Sequence, residues 1–557
     1  MDKKTILAFI LSFAILVGWS LFFGPKNGQT PDGQDHSIKE IDNNLSEVPK
    51  ASVSTPPHPG TSPLPKQEEM EKAYEQHVKE IEIDTPLYRA VFSNVGPTIK
   101  SFSLKKYRQT TDPDSPPIDL VSLKEGMGDF LRIDFSTSST AKHGDTVFQV
   151  DQDAIRLGPD SAPRDVVFSA RAEKGLLIVQ TFRFYPDTYR IDLRVEATNE
   201  GNNNVEGTFS ANIKGLPPKE GGSYYSYAGL ALLLNGKLEE LEIEEESDNQ
   251  LVKGRIEWIA YEDNYFISAI VPSVPERGIF KGRMMPSGVL EGTYLQPAVS
   301  ISPLGQQSSL YEFYLGPRDL GVLKEFGKNL GKAINFGWTD IIAKPLLYIL
   351  RFFYTYIHNY GVSIILLTIL VKILFWPLTH KSYKSMKEMQ KLQPRMAKLR
   401  EKHKGDKQKL NQEMMALYKT YKVNPMGGCL PMIVQIPVFF ALFRVLGNCI
   451  ELRHAPFVFW MKDLSAPDRL FHFPFSIPFM TPPYGIPVLT LLMGASMFIQ
   501  QKMTPTPGDP SQAKIMMFMP VIFTFMFINF PSGLVLYWLV NNILSIGQQY
   551  RIHRGPA

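Results

Sequence analysis

The amino-acid sequence predicts a multi-span α-helical membrane protein with six transmembrane helices and a large all-β sandwich domain. Three observations support this fold class. Long apolar runs are concentrated after Leu346, polar sequence dominates from Gly24 to Leu320, and one more apolar run follows Lys4 near the N-terminus. The chain of 557 residues has a formal net charge of +4, which favours no particular class of partner.

Residues 1–23 are predicted to form a transmembrane anchor. Lys3 and Lys4 precede an apolar run from Thr5 to Phe23, which is longer than the ~7–15 residues of a signal-peptide core. Because the small residues that could form a cleavage site lie inside this run, an uncleaved anchor is favoured over a cleaved signal. The two lysines then keep the N-terminus in the cytoplasm. Residues 24–80, rich in Pro, Gly, Ser and Asn, are predicted to be a flexible tether.

Residues 81–316 are predicted to form the β-sandwich, because apolar and polar residues alternate along several short segments. From Tyr189 to Ala197 every second residue is apolar, the pattern of a half-buried antiparallel strand. Similar alternation occurs in residues 88–92, 99–104 and 177–185. The domain contains no nucleophile elbow, zincin helix or phosphate-binding glycine loop, so we interpret it as a docking or structural module.

Residues 317–360 are predicted to be connecting and interfacial helices. The stretch from Asp319 to Trp338 has helical periodicity, with lysines along one side. The stretch from Pro345 to Ile357 mixes aromatic residues with Arg351, which suits an amphipathic helix on the membrane surface better than a spanning helix.

Residues 361–550 are predicted to form a core of five spans with a cytoplasmic helical hairpin at 378–425. The hairpin carries thirteen basic and four acidic residues, so the positive-inside rule places it in the cytoplasm. The segment from Cys449 to Pro483 is charge-balanced, as an external loop can be, and the short tail 551–557 is basic. The predicted spans are Gly361–Pro377, Gly427–Gly447, Ile486–Gln500, Ile515–Phe530 and Gly533–Gly547.

Lys372 is the most informative single residue, because it follows an apolar run in the first core span. One interpretation is a lysine whose ammonium reaches the nearby cytoplasmic interface. The other is a cation that faces a wet cavity inside the bundle. The second is favoured by polar residues in several spans, although each alone more often forms a helix–helix hydrogen bond; they are Gln435, Thr490, Gln500, Asn541 and Asn542. Both interpretations stay open on the residues alone.

The hairpin is predicted to be two helices separated at Gly405-Asp406, each with an apolar stripe. Met386 and Met389 lie on the first stripe and Met414 on the second, with Met415 beside it. Flexible thioethers suit a surface that accepts varied apolar partners, but a self-contained seam between the two helices explains most of these side chains.

Three stretches of the sequence contain long motifs: Asn424–Pro431 with Gln435–Pro437, Glu413–Tyr418, and Phe530–Trp538 with Asn541, Gln548 and Gln549. They resemble the YidC/Oxa/Alb membrane protein insertase family, of the Gram-negative YidC type with a periplasmic β-domain. The motifs are long, they follow in the family's order, and the resemblance extends over the whole chain.

The resemblance implies a membrane insertase and chaperone of the bacterial inner membrane, and not an enzyme. Such proteins insert nascent membrane proteins into the phospholipid bilayer, alone or with the Sec translocon and its accessory subunits, without nucleotide hydrolysis or a cofactor. A hydrated, positively charged groove attracts the acidic part of the substrate. The positions that match this substrate groove are Lys372, Thr368, Gln435, Ile436, Pro437, Tyr537 and Trp538. Binding to the ribosome, the only nucleic acid partner implied, is left open by the short tail.

One residue departs from the family pattern, because the Gram-negative relatives carry Arg where this chain has Lys372. The charge is retained, but the planar donor fork is not.

Two other functional classes predict different sequence features. A solute transporter predicts internal repeats with interrupted helices, and the halves have no such symmetry. A membrane-anchored periplasmic enzyme predicts a constellation of catalytic groups in residues 81–316, and none stands out in the sequence. Two cysteines and scattered histidines give no support to a metal site.

Overall fold

The computed structural model describes residues 78–121, 123, 129–137, 146–172, 175–217, 227–403, 405–421, 423, 430–504 and 510–554. The predicted anchor 1–23, nearly all of the tether 24–80, residues 424–429 of the family motif and residues 555–557 of the tail lie outside the described residues. The described part contains a β-domain followed by a group of helices.

The β-domain consists of two sheets. Its strands are β1 (Glu80–Asp84), β2 (Tyr88–Ser93), β3 (Thr98–Arg108), β4 (Pro117–Asp119), β5 (Leu131–Thr137), β6 (Gln149–Val150), β7 (Ala154–Arg156), β8 (Arg164–Ala172), β9 (Leu176–Phe184), β10 (Arg190–Asn199), β11 (Val205–Gly215), β12 (Gly229–Leu234), β13 (Lys237–Glu240), β14 (Gln250–Glu262), β15 (Phe266–Pro272), β16 (Arg277–Met284), β17 (Leu290–Leu295), β18 (Val299–Ile301) and β19 (Gln306–Pro317). The smaller sheet has the order β4-β3-β2-β1-β7, and the larger sheet runs β18-β11-β17-β16-β14-β15-β19-β10-β9-β8-β6, with β5, β12 and β13 attached.

The two sheets pack face to face around an aromatic core. Phe92 of the smaller sheet meets Phe182 of the larger sheet edge-on, with ring centroids 5.2 Å apart. Strand β10 pairs antiparallel with β9 and β19. All five alternate residues from Tyr189 to Ala197 are buried, as the sequence predicts. The predicted β-sandwich is therefore confirmed.

The connector after the β-domain differs from the single helical stretch expected from Asp319 to Trp338. Helix α1 (Leu320–Phe326) is capped by Asp319 and ends at Gly327, whose φ is +82°. Lys328 and Asn329 also have positive φ, so the chain cannot continue as an α-helix. Two short 3₁₀ turns follow, at Leu330–Ala333 and Gly337–Thr339. The lysine periodicity was thus a misleading helix signal.

The amphipathic helix α2 (Asp340–Ile357) is longer than the predicted segment. Its buried face contains Ala343, Leu347 and Leu350, whereas Ile341 and Tyr356 are exposed on the opposite face. This two-faced pattern fits the amphipathic helix that the sequence predicts.

The remaining helices form the core and the hairpin. They are α3 (Tyr360–Lys402), α4 (Lys407–Thr420), α5 (Leu430–Asn448), α6 (Val488–Met503), α7 (Pro510–Phe527) and α8 (Ser532–Arg554). Between α5 and α6 lie a 3₁₀ turn (Ile450–Leu452) and a two-stranded hairpin of β20 (Leu470–Phe473) and β21 (Tyr484–Ile486). Helix α8 packs against α3, α5 and α6, while α7 packs against α6.

Helix α3 continues through Pro377, where the sequence predicts the span to end and the hairpin to begin. Proline cannot donate to the carbonyl one turn earlier, but neighbouring Ser and Thr side chains and adjacent helices make this tolerable in membrane helices. Close to the proline, the Thr379 hydroxyl donates to the Phe375 carbonyl over 3.0 Å. The first span and the first hairpin helix are therefore one continuous helix.

By length and apolar composition, one helix in the described part of the chain is sufficient to cross a membrane, Tyr360–Lys402. Two shorter apolar helical stretches are Val434–Asn448 and Met516–Phe527. The C-terminal helices are thus as expected in kind, and the number of six spans stays a prediction.

Candidate functional site

The candidate site is centred on Lys372, in the part of α3 that packs against α8. Helix α3 begins at Tyr360 and is capped by Asn359, whose side-chain oxygen accepts a hydrogen bond from the Val362 amide. Lys372 lies about 18 Å along the helix from Tyr360 at 1.5 Å per residue. Its side chain is buried against α8, and the residue is only 8% exposed.

The Lys372 ammonium is held by neutral groups of α8. Its Nζ donates to the Ser545 hydroxyl over 2.6 Å and to Asn541 Oδ1 over 3.5 Å. Ser545 donates its own hydrogen to the Asn541 carbonyl over 2.7 Å, so its oxygen is oriented to accept from the lysine. Among the described residues, no carboxylate forms an ion pair with Lys372. The ammonium is thus a buried charge without a counter-ion in the described chain.

Further buried polar pairs continue along α8. Gln548 Nε2 donates to the Thr379 hydroxyl over 3.0 Å, linking α8 to α3 toward the hairpin. Asn542 Nδ2 donates to the Ser496 hydroxyl over 3.0 Å, linking α8 to α6. These pairs and Lys372 give the helix interfaces polar groups that an apolar core would not contain.

The seven predicted groove residues fall into three places. Thr368 is buried one turn before Lys372 on α3, and its hydroxyl donates to the Ile364 carbonyl over 2.7 Å. On α5, Gln435 and Pro437 are half-buried, whereas the Ile436 side chain is exposed. Tyr537 is buried on α8 beside Gln435. Helix α8 thus carries partners of both groups, because Lys372 binds its Ser545 and Gln435 lies beside its Tyr537.

Trp538 belongs to an aromatic group where α5, α7 and α8 meet. Its ring lies 4.8 Å from the Phe439 ring and 4.8 Å from the Phe527 ring, both approximately edge-on. Such edge-to-face contacts each add about 0.5–1.5 kcal/mol beyond burial. Trp538 therefore has a packing role that the sequence did not reveal.

The hairpin methionines are divided between a seam and the surface. Met389 is buried with Leu392 and Met396 where α3 faces α4, whereas Met386 and Met414 are half-buried and Met415 is exposed. Arg395 lies over the Tyr421 ring at 4.7 Å. The self-contained seam accounts for Met389, and the exposed thioether of Met415 is the one best placed to meet a partner.

Ser545, Thr379 and Ser496 are site residues that the sequence analysis did not single out. A signal existed, because Asn541, Ser545 and Gln548 are spaced at i, i+4 and i+7 and so share one face of an apolar helix. Single serines in apolar helices are common, however. Ser545 is identified as a site residue only because Lys372 lies across the helix interface from it.

Asp468 and Arg469, both buried, lie at the end of the helix group where α6 begins and α7 ends. All five N–H groups of Arg469 find oxygen acceptors, at distances from 2.8 to 3.5 Å: the carbonyls of Pro483, Asp468, Ile528 and Thr481 and the side chain of Asn529. Asp468 accepts from the Trp460 indole over 2.6 Å and from the Leu489 amide over 2.5 Å. One dipeptide thus ties the start of α6 to the end of α7.

A second charged group joins the connector helices α1 and α2 to the 3₁₀ turn after α5. Arg351 Nη1 lies 3.1 Å from Asp319 Oδ1 and 3.6 Å from Glu451 Oε1. Burial, and then the nearby Asp319 carboxylate, raise the pKa of Glu451 to about 7. Among the described residues, no three His, Cys, Asp or Glu side chains converge as a metal site would require.

Two family models together match nearly all of the described chain. The 60Kd inner membrane protein family matches residues 352–556, and the YidC periplasmic domain family matches residues 80–349. Membrane protein insertase YidC of Syntrophobacter fumaroxidans is 43% identical over 560 residues, covering 100% of both chains. That of Syntrophus aciditrophicus is 43% identical over 563 residues, again covering 100% of both chains.

A solved structure described as an active YidC insertase with its first transmembrane domain resolved is also similar, at 17% identity and a TM-score of 0.36. The matched region covers 85% of this chain and 92% of the solved chain. The full-length relatives and the two family models confirm the family resemblance that the sequence indicated. The chain therefore belongs to the YidC family of membrane protein insertases, inner-membrane proteins with a periplasmic domain that insert membrane proteins and are not enzymes.

Proposed function

We propose that this insertase works through a cationic groove in which Lys372 attracts the acidic segment of an incoming membrane protein. The single observation that carries the proposal is the buried ammonium, whose described partners are the neutral groups of Ser545 and Asn541. An ammonium has three N–H donors, and two of them are used by described residues. The third N–H has no acceptor among the described residues, which supports an acceptor on the substrate as its partner.

The electrostatic argument favours a carboxylate as that acceptor. At an effective dielectric constant of ~20, two opposite unit charges 4 Å apart attract by about 4 kcal/mol. Two hydrogen bonds to Ser545 and Asn541 orient the ammonium without neutralising it. A carboxylate in place of Ser545 would instead form an internal ion pair and weaken the attraction for substrate. The neutral partners thus suit transient binding.

The topology that we propose has six spans, with both termini in the cytoplasm and the β-domain in the periplasm. Lys387 of the basic hairpin donates to the Ile552 carbonyl over 3.0 Å, which supports the hairpin and the C-terminus of α8 being on the same side. Asn359, at the opposite end of α3, donates to the Phe457 carbonyl over 3.2 Å, which supports an outer position for the loop after α5.

The exposed apolar faces of the bundle give the substrate a route into lipid. Leu370, Ile373 and Leu374 of α3 are exposed next to the buried Lys372, and Ile436 is exposed on α5. Helix α6 has 16 residues, a rise of about 24 Å against roughly 30 Å of hydrocarbon. We infer that the bilayer is thinner here, which shortens the path of a polar tail. Partition of the apolar segment into lipid drives the step, without nucleotide hydrolysis.

The proposed domain division retains the tether at 24–80, the sandwich at 81–316, the connector at 317–360 and the core at 361–550. The Sec translocon and the ribosome belong to the proposal as partners, supported by the family resemblance. Site-specific crosslinking from the exposed Met415 position to ribosomal proteins, and from the β-domain to Sec subunits, would test them.

The proposal is tested by varying the charge of the substrate tail with the wild-type protein. Short single-span substrates with acidic, neutral and basic N-terminal tails of equal length are added to liposomes that contain the purified chain, and protease protection of the tail measures insertion. We expect insertion to fall from acidic to neutral to basic tails, and the preference to decrease as salt is raised. Equal insertion of all three tails would contradict a role for the groove charge.

A further inference from the structure

The segment of residues 470–487, named here the outer hairpin, contains no Asp, Glu, Lys or Arg. It is formed by β20 and β21 and their connection, and it contains Phe471, Phe473, Phe475 and Phe479 among several prolines. A loop that faced only water would not be expected to combine aromatic side chains with a complete lack of charge. The composition of the outer hairpin therefore indicates that it contacts something less polar than water.

Three of these phenylalanines are exposed: Phe471 at 68%, Phe475 at 60% and Phe479 at 83%. Phe471 and Phe479 also have positive φ, 55° and 64°, a conformation that is an outlier for a bulky side chain. The backbone is thus held in an unfavourable conformation while the aromatic rings contribute little to the core. Strain of this kind is usually retained because a function needs it.

The outer hairpin is held at its base by the buried Arg469 and the half-buried Asn529. Arg469 donates to the Pro483 carbonyl over 2.9 Å, and Asn529 Nδ2 donates to the Phe479 carbonyl over 2.9 Å. Asn529 Oδ1 also accepts from the Thr481 amide over 2.9 Å. Because the backbone beside Phe479 is fixed in this way, the exposed rings project from a rigid base.

The outer hairpin adjoins the ends of three helices. Pro467, just before it, forms a β-bridge with Pro531, just before α8 begins. Arg469 donates to the Ile528 carbonyl, just after α7 ends, over 2.8 Å. Asp468 accepts from the Leu489 amide in the first turn of α6. The hairpin is therefore at the level where these helices leave the apolar part of the bundle.

An apolar surface runs from the outer hairpin onto α6. Ile486, the last residue of β21, is exposed, and so are Leu491 and Leu492 in the first turns of the helix. No charged side chain interrupts the sequence from Leu470 to Gln501. Continuity with a helix face of this kind indicates lipid as the partner, since aromatic rings concentrate where hydrocarbon meets headgroups.

We propose that the outer hairpin is a membrane anchor whose Phe471, Phe475 and Phe479 rings enter the headgroup region of the periplasmic leaflet. The inference rests on the topology proposed above, with α6 in the bilayer. By holding the outer ends of α6 and α7 to the lipid surface through Arg469 and Asn529, the anchor fixes the depth of the bundle in the membrane. Its ligand is the lipid interface and not a protein.

The experiment uses the full chain in liposomes, with Cys429 and Cys449 replaced by alanine. Single cysteines at Phe471, Phe475 or Phe479 are labelled with an environment-sensitive fluorophore, and quenching by lipids with spin labels near the headgroup or deep in the acyl chain is measured. Ser476, exposed in the same hairpin, and Ser287, exposed in a β-domain turn, are the matched controls. A label at Leu491 tests the position of α6 separately.

We expect roughly twofold or greater quenching by the shallow lipid label at the three phenylalanine positions, weaker quenching at Ser476 and none at Ser287. We expect quenching by the shallow label at Leu491 as well, because this residue lies only about 5 Å along α6 from Val488. If Leu491 is quenched and the three phenylalanine positions are not, the outer hairpin faces water or a protein and the inference is wrong. If Leu491 is also unquenched, the proposed topology is wrong as well. The unquenched reference is the same protein in detergent without spin-labelled lipid, and a thermal unfolding transition shows that it is folded.

Discussion

The Lys372 ammonium lies 2.6 Å from the hydroxyl of Ser545, a residue 173 positions further along the chain. This contact joins the first and last helices of the core, and it has no carboxylate to neutralise it among the described residues. A hydrogen bond to a charged group stabilises more than a neutral one, about 1.5–3 against 0.5–1.5 kcal/mol. The pair therefore contributes to the fold as well as to the site.

Ser545→Ala is expected to lower the free energy of unfolding by about 1.5–3 kcal/mol, because the buried ammonium loses its shortest hydrogen bond. Ser496→Ala, which removes a neutral Asn542–Ser496 hydrogen bond, is the matched control and is expected to cost about 0.5–1.5 kcal/mol. Denaturation in detergent measures both. In a Lys372→Met background the cost of Ser545→Ala should shrink to that of the control. An unchanged cost there would contradict a charge-assisted bond.

Arg469→Lys is expected to destabilise the outer end of the bundle by about 2–4 kcal/mol, although the charge is kept. The guanidinium satisfies five acceptors, whereas an ammonium has three donors from one atom. Arg171→Lys, at an exposed ion pair with Glu200, is the control and is expected to change stability by about 0.5 kcal/mol or less. Thermal unfolding and protease cleavage between residues 470 and 487 measure the effect. Equal shifts for the two variants would show that Arg469 acts only as a charge.

Glu451→Gln is expected to remove a pH dependence of stability. Burial raises the pKa of Glu451 from 4.5 to about 7, so the folded protein retains this proton while the unfolded chain releases it. Stability from this group is therefore present below about pH 4.5 and is lost as pH rises through about 7, a change of about 3 kcal/mol. Arg351 and Asp319 both face the Glu451 carboxyl. Asp319 raises its pKa and Arg351 lowers it, so their effects partly cancel.

The measurement for Glu451 is the melting temperature of wild type and variant from pH 5 to pH 8, expressed as their difference. The melting temperature of Glu451→Gln should rise relative to that of wild type as pH rises. The control is Glu325→Gln, at an exposed glutamate of α1, and its melting temperature should stay parallel to that of wild type. Parallel curves for Glu451→Gln and wild type would mean that Arg351 keeps the carboxylate charged in both states.

Phe479→Gly is expected to leave the free energy of unfolding unchanged or to raise it by about 1 kcal/mol. The φ of 64° at Phe479 costs free energy for phenylalanine and none for glycine. Phe475 is exposed in the same hairpin but does not have positive φ, so Phe475→Gly should lose about 0.5–1 kcal/mol. Chemical denaturation of both variants measures their free energies of unfolding. A larger loss for Phe479→Gly than for Phe475→Gly would mean that the Phe479 ring, despite its exposure, packs against the fold.

The sequence was sufficient wherever a pattern is local. Alternation from Tyr189 to Ala197 predicted a buried strand face, and a lone lysine in an apolar run drew attention to Lys372. Local patterns failed where a contact between distant segments decides the structure. Asp319–Trp338 had helical periodicity, but positive φ at Gly327 and the residues after it ended the helix. Arg469 looks like an ordinary loop arginine until Ile528 and Asn529 are brought beside it.

The central claim is that the charge at position 372 attracts the acidic part of the substrate. The measurement is insertion of a short single-span substrate with an acidic tail into liposomes that contain the purified protein, read by protease protection, for wild type, Lys372→Arg and Lys372→Ala. The account predicts comparable insertion by wild type and Lys372→Arg, because the charge matters more than the donor geometry, and insertion close to that of empty liposomes for Lys372→Ala. Equal insertion by all three folded proteins would contradict the claim and leave Lys372 as a structural partner of Ser545.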